Sequence, residues 1–514
     1  MGYVVEDGPA SVNGFRAGIY SYPQEDRTVV VLMNTRPRRF VGLRGRLQRG
    51  GGALRSPVRL ALRPIGWLAI RGAGGVIPVV RVSLPRRLMG RSDSRFVLGI
   101  RIAGRVRHDV VRATVLVNCC HAGTKGISVM DYAWRLDGLR QTMQKRGIDL
   151  AVYGPCPNFQ YLTGVLVDWR GAPDLQPAGD LLLVPREGSA VRIASGRYAT
   201  DGCPIADVLQ YDAAVGYKDL MRTILRDRAV EVRKLALGAY LPTPVVTAAI
   251  EATGHPELCD ASHLLDPLRA IKEPEEVALL RKVARLTDEA MMTVVRGIME
   301  GVSQFDLRLE IEAEGRRRGA TDVSFGPWAG YVKSGSSATF PGLAKGQVTD
   351  YPVDKGLVAN TAITFDVGFV WNGYCSDWGR SVYWGTAPEH TRNAYAALRQ
   401  AVVETVAEMK DGNTRACDVY PAIERRLDAL GFGDEMRARL APGRTVGHQI
   451  GTEVHENPWL RPDSEEPLRA GMVMCIEPKL WLPGEYYLRL EEMVHITETG
   501  AEFLTEFDRE LFEL

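Results

Sequence analysis

From residue 130 onward the hydrophobic and polar positions fall into two rhythms, one repeating every three to four residues and one alternating. The stretch "MDYAWRLDGLRQTMQKRGIDLAVYG" (130–154) keeps the first rhythm through Arg146, turns at Gly147 and ends in an apolar run. It predicts a helix feeding a strand. Strands are predicted next at 180–185 and 191–194, then a helix near 218–228 and a strand at 234–238. That order describes a small α/β domain, expected over 130–268 and read as a scaffold without chemistry of its own. A second region, 269–514, opens on "DPLRAIKEPEEVALLRKVARLTDEAMMTVVRGI", where Pro274 suits the first turn of a long amphipathic helix starting near Glu275. Further helices are expected at 303–318, near 391–410 and near 419–430, and strand-rich sequence returns after Pro442.

Residues 1–129 follow neither rhythm, and charge sets them apart. The 514-residue chain has a net charge of only +2, yet residues 1–129 hold 21 Arg, 1 Lys and 6 acids, while the remainder holds 42 bases and 56 acids. A nucleic-acid arm would mix lysine with arginine; arginine almost alone among Gly, Val, Leu and Pro is what translated GC-rich non-coding DNA would give. This extension is expected to be disordered or not genuine, with Met130 beginning the working protein, and no function is placed there. No nucleic-acid partner is expected. Arginine breaks every early apolar run short of a membrane span, and "MGYVVEDGPA" lacks the basic lead and apolar core of an export signal, so a cytoplasmic protein with no membrane partner is expected. Eight cysteines show neither disulfide-framework density nor zinc-type spacing and read as reduced thiols. Nothing resembles a phosphate loop or a Ser–His–Asp pattern.

The chemistry concentrates in "TAITFDVGFVWNGYCSDWGRSVYW" (361–384), two apolar runs joined at Asn372-Gly373, the dipeptide best suited to a two-residue type I′ turn. With that turn, residues whose numbers sum to 745 face each other, so Asp377 lies opposite Gly368 and Asp366 is its diagonal neighbour on the same face. Phe365, Val367 and Phe369 then line the other face. Diagonal positions stand roughly 7–8 Å apart, and two ionised carboxylates turned inward repel each other unless cations sit between them. The alternative is a turn cap or a pairing with Arg380. Downstream, "GHQIGTEVHENP" supplies His448 and His455, "MVMCIEP" supplies Glu477, and "YLRLEEMVHI" supplies Glu491 with Arg489 on the same face by period-two alternation. Four carboxylates and one imidazole suit a pair of divalent ions.

An Asp, a second Asp eleven residues on, GH with another His seven on, IEP, and then R-x-E together resemble the ligand signature of the pita-bread metallohydrolases: aminopeptidase P, Xaa-Pro dipeptidase, methionine aminopeptidase and creatinase. The resemblance spans about 130–514 and includes "NFQYLTG" and "IKEPEEVALLR". It implies an α+β fold, a pita-bread catalytic domain preceded by a smaller creatinase-like α/β N-domain. It implies two divalent metal ions, manganese before cobalt, zinc or iron, and a homodimer. Carried over by position, it implies Asp366 on the first metal, Asp377 and Glu491 bridging both, and His448 with Glu477 on the second. His455 would bind the substrate carbonyl, Glu477 would move the proton, and Arg489 would hold the carboxylates. The implied reaction is cleavage of a peptide or amide bond by water activated between the two cations, with an Xaa-Pro peptide as substrate. Peptidase members usually carry a further histidine before the first aspartate; here no histidine occurs from 264 to 389. This keeps open a small non-peptide substrate, as in creatinase-like, ectoine hydrolase-like or dimethylsulfoniopropionate lyase-like members. Trp328, Tyr331, Phe340 and Trp459 are candidate pocket walls, while His255, His263, His390 and His495 read as structural or surface residues.

Overall fold

In the computed structural model the residues described in full are 130, 132–167, 169, 179–198, 203–336, 356–439 and 444–514; within 1–129 only the backbone of eight strands, from Phe15–Tyr22 to Asp109–Cys119, is described. Contacts divide the chain into two units, Met1–Ile127 and Ser128–Leu514. In the first unit five strands form one antiparallel sheet and three form another. Beyond the backbone of those strands, the extension expected to be disordered or spurious lies outside the described residues. Among the described residues no helix is long and apolar enough to cross a membrane.

The second unit begins with the helix Tyr132–Arg146, whose last turn carries Lys145 and Arg146 against the negative end of the helix dipole. Gly147, at φ 66°, ends it. The chain then enters Leu150–Tyr153, a strand buried along its whole length at the centre of a six-stranded mixed sheet. That sheet runs, in spatial order, Asp207–Gln210, Val191–Ala194, Leu181–Pro185, Leu150–Tyr153, Lys234–Leu237 and Glu257–Asp260. Helices Gly216–Asp227 and Thr243–Ala252 pack Met221, Ile224, Leu225, Val245 and Ala249 on one face of it. The interior strands are the ones the apolar runs predict, whereas both edge strands are partly exposed and carry no such run.

The second domain starts at the helix Pro274–Arg296, with Pro274 at its first position and a capping box between Glu273 and Glu276. Ser303 caps the next helix, Gln304–Arg317, by accepting from the Asp306 amide at 3.1 Å, a contact worth about 1 kcal/mol. These two helices bury Val283, Leu286, Met291 and Ile311 against Phe365, Val367, Phe369 and Trp378. A second pair, Glu389–Glu408 and Ala416–Ala429, covers the strands Val473–Ile476 and Glu492–Thr497. The helices thus lie outside, and the strands between them form two main sheets: a four-stranded one holding Thr361–Val367 beside Trp378–Trp384, and a five-stranded one holding Gly447–Gln449, Val473–Ile476 and Glu492–Thr497. A backbone bridge, the Glu491 amide donating to the Gly379 carbonyl at 2.9 Å, joins one to the other, and Arg380 pairs with Glu492 beside it.

The small domain grips the larger one through several side chains. Gln160 donates to the carbonyl of Gly373 in the hairpin turn at 2.8 Å, and Arg135 pairs with Glu273 and Glu276, the latter also accepting from Tyr374 at 2.8 Å. Arg269 and Lys272 at the junction hold Glu456 at 2.6 and 3.1 Å, on the segment that carries His455. These contacts bear on backbone that positions the candidate site.

Candidate metal centre

The hairpin has the register its turn requires. Asn372 and Gly373 take φ 51° and 82°, the left-handed pair of a type I′ turn. Trp371 faces Tyr374, Val370 faces Cys375, and beyond a small irregularity Val367 faces Trp378 and Asp366 faces Gly379. Asp366 and Asp377 are therefore diagonal neighbours. Phe365, Val367 and Phe369 are fully buried on the opposite face. The two glycines on the carboxylate face serve different neighbours: a Cβ on Gly368 would strike the Ser376 carbonyl, and one on Gly379 would come within 2.6 Å of the Arg489 guanidinium. Gly379 is what lets Arg489 reach across.

Around the hairpin the other side chains converge. The Arg489 guanidinium contacts Asp366, Glu477 at 2.6 Å and Glu491 at 2.7 Å. His448 Nε2 lies 3.4 Å from Asp377 and 3.9 Å from Glu477. Asp377, His448, Cys475 and Glu491 each offer one donor atom, and all four atoms lie within 4.8 Å of one another. His448 Nε2 and Glu491 Oε1 are buried with no hydrogen-bond partner among the described residues, while Glu491 Oε2 meets the Arg489 guanidinium. The other ring nitrogen of His448, Nδ1, meets the Gln449 carbonyl at 3.1 Å. A carbonyl only accepts, so Nδ1 carries the hydrogen and the neutral ring presents a lone pair at Nε2, the arrangement a metal-ligating histidine needs. Orphaned buried acceptors are costly, and a divalent cation would satisfy them together. The donor set fits such an ion.

The electrostatics agree. Burial pushes the Asp377 carboxyl well above its ordinary range, and Asp366 adds to the shift against the opposing Arg489. Burial likewise raises Glu491, with Arg489 opposing and Asp377 reinforcing. Burial would raise Glu477 too, but Lys479, Arg489 and His448 outweigh it and hold that carboxyl well below the usual range. Without metal, Asp377 and Glu491 keep protons in the folded state that the unfolded chain gives up, so they contribute less stability as pH climbs above the ordinary carboxylate range. Cations must displace those protons. Loading the metal-free protein with Mn²⁺ at pH 7 is expected to release protons, with apparent affinity rising from pH 6 to pH 8. Calorimetry in two buffers of different ionisation enthalpy measures this; buffer-independent heats would contradict it.

Of the remaining candidates, His455 stands edge-on to His448 with ring centroids 4.4 Å apart, and Trp459 lies 5.0 Å beyond it. Both line a cavity of about 400 Å³ at the junction of the two domains. Tyr331 is a core residue that donates to the Val302 carbonyl, Trp328 packs on Tyr487, and Phe340 lies outside the described residues. Arg380 pairs with Glu492 at 2.6 Å and not with either aspartate. His263, His390 and His495 pair with Asp266, Glu435 and Glu502, away from the centre. Two close neighbours were not singled out by sequence reasoning. Cys475 is cross-strand from His448, and Lys479 contacts Glu477. Stepping by two from Glu477, the alternation used to pair Arg489 with Glu491, reaches both.

The profile of Metallopeptidase family M24 matches residues 278–498, and that of the Creatinase/Prolidase N-terminal domain matches residues 135–271. An uncharacterised peptidase of Bacillus subtilis is 31% identical over 259 residues, 50% of this chain and 68% of that protein. The chain belongs to metallopeptidase family M24. A Xaa-Pro dipeptidase of Pyrococcus furiosus is 29% identical to this M24 chain over 248 residues, 48% of it and 66% of the relative. The crystal structure of a prolidase from Thermococcus sibiricus superimposes with a TM-score of 0.63 at 26% identity, covering 75% of this chain and 100% of that one. The fold is the α+β pita-bread catalytic domain preceded by a creatinase-type N-domain, and this M24 protein is a metal-dependent hydrolase.

Proposed function

We propose that this M24 hydrolase holds two divalent cations, manganese first among them, and cleaves the peptide bond before a proline in the manner of a Xaa-Pro dipeptidase or aminopeptidase. The observation that carries the reading is the convergence of Asp377, His448 and Glu491 donor atoms, buried and lacking hydrogen-bond partners at His448 Nε2 and Glu491 Oε1, with Asp366 and Glu477 tied to them through Arg489. Asp366 would ligate one ion, Asp377 and Glu491 both, and His448 with Glu477 the other. When bound, the cations supply an acidified water and polarise the scissile carbonyl. The rest falls to the chain. His455, beside His448, donates to the carbonyl oxygen as negative charge develops there. Glu477 takes up a proton and passes it to the leaving nitrogen. Arg489 keeps three carboxylates aimed inward. The domains carrying this are 130–268 and 269–514, with no function assigned to 1–129; a cytoplasmic homodimer is the accompanying expectation.

A second reading, a small non-peptide amide or a lyase substrate, is favoured by one observation: residues 264–389 contain no histidine, so the imidazole that peptidase members place there is absent. A metal-supplemented assay separates the two. Turnover of a Xaa-Pro dipeptide or a proline-second tripeptide is expected, with little on creatine-like amides. Turnover of the small amides alone would reverse the order.

A further inference from the structure

The donor atoms that converge at the centre are not the set the family signature implies. Asp377, His448 and Glu491 belong to both, but the fourth member of the cluster is Cys475, whose sulfur lies within 4.8 Å of the other three donors, while Asp366 and Glu477 stand outside it. The strand Val473–Ile476 puts the thiol there. Cys475 pairs with His448 on one neighbouring strand and with Met493 on the other, and it precedes Glu477 by two residues, which sets both on the same face. Other buried thiols are engaged elsewhere: Cys156 accepts from the Phe159 amide at 3.4 Å, and Cys375 donates to the Thr452 carbonyl at 3.5 Å. Among the described residues no hydrogen bond holds Cys475. The cluster it joins also contains His448 Nε2 and Glu491 Oε1, buried acceptors that lack partners of their own. Glu477, by contrast, turns one oxygen away. Its Oε2 meets Lys479 and, at 2.6 Å, Arg489, so Oε1, 3.9 Å from His448 Nε2, is the oxygen left for an ion.

We infer that Cys475 is a further ligand of this centre, its sulfur joining His448 and the remaining Glu477 oxygen around one of the two cations. The inference rests on the two-cation reading and divides it. Carboxylates alone, from Asp366, Asp377 and Glu491, suit manganese at the first position, whereas sulfur and imidazole together suit zinc or cobalt at the second. One sulfur–metal bond forms and one S–H bond breaks, the proton passing to solvent with no change of oxidation state. Cys475 thereby sets which metal the second position holds.

Cobalt reports the bond directly, because a thiolate ligand gives Co²⁺ an intense charge-transfer absorption in the near ultraviolet that oxygen and nitrogen ligands do not. The full-length protein saturated with Co²⁺ is expected to show that band, and Cys475→Ser to lose it with the cobalt bound at saturation unchanged by elemental analysis. In competition titrations the variant is expected to lose zinc affinity by roughly tenfold or more, with manganese affinity held within about twofold. The spectrum of the unaltered protein tests the ligand whether or not the variant folds. A band that persists in Cys475→Ser, or equal losses of zinc and manganese affinity, overturns the inference. Bound cobalt without the band removes the sulfur ligand alone, whereas failure to bind any divalent ion removes the two-cation reading along with it.

Discussion

Replacing Arg489 by methionine is expected to destabilise the metal-free protein by about 1–3 kcal/mol, the cost of leaving Asp366 without its cation and buried Glu477 and Glu491 without a donor. The guanidinium is the only cation contacting Asp366, Glu477 and Glu491 together among the described residues, and its own charge is fixed by them: burial would lower its basicity, but the surrounding carboxylates raise it well above the ordinary value. Methionine preserves much of the volume and removes all of the compensation. Glu477 retains Lys479 and Glu491 keeps its proton in the metal-free form, so the uncompensated charge falls mainly on Asp366. Urea unfolding of the metal-free and metal-loaded forms measures the effect. The loaded variant is expected to lose much less, because cations would supply the missing charge. A loss below about 1 kcal/mol in the metal-free form would show that Asp366 needs no counter-charge from Arg489.

The largest effect on activity is expected from Asp377→Ala. Loss of a residue that only orients a ligand typically costs about 10–100-fold, whereas Asp377 is proposed to serve both cations at once. Turnover is therefore expected to fall by about a thousandfold or more, and bound metal measured by elemental analysis to drop by at least one ion per chain. Its position supports this: it is 2% exposed, central to the four-donor cluster, and its carboxyl is raised by burial and by Asp366 more than any neighbour lowers it. Asp366→Ala is expected to cost less, since Asp366 stands outside that cluster and binds Arg489 instead. Equal metal content in Asp377→Ala and the unaltered protein would remove Asp377 as a ligand.

How much of this is legible without coordinates depends on the range of the forces involved. The hairpin is local: a two-residue turn with both φ values positive fixes its pairing, and the register from Ala362↔Tyr383 to Trp371↔Tyr374 follows from Asn372-Gly373 alone. The long helix Pro274–Arg296 is equally local, marked by its proline and capping box. The missed elements are those that tertiary contacts create. Thr243–Ala252 is helical despite a β-branched start, because Val245 and Ala249 find a sheet face to cover. Glu257–Asp260 is an exposed edge strand held by pairing with Lys234–Leu237 rather than by its own pattern. At the centre, the ligand types and spacings are visible in the chain, but Lys479 and Cys475 acquire meaning only when Glu477 and His448 are brought beside them. The interdomain contact of Gln160 with Gly373 and the junction contact of Arg269 with Glu456 join residues more than 180 positions apart and leave no local trace.

The eleven-residue interval from Asp366 to Asp377 behaves as a fixed gauge. One residue inserted at the Asn372-Gly373 tip would slide one arm by half a repeat, turning a carboxylate toward Phe365 and Trp378 and an aromatic ring toward His448. Surface loops that hold no pair of ligands in register are free of this constraint. This one tolerates changes only in pairs, so its length is as informative about whether a distant homologue still works as the identity of any ligand.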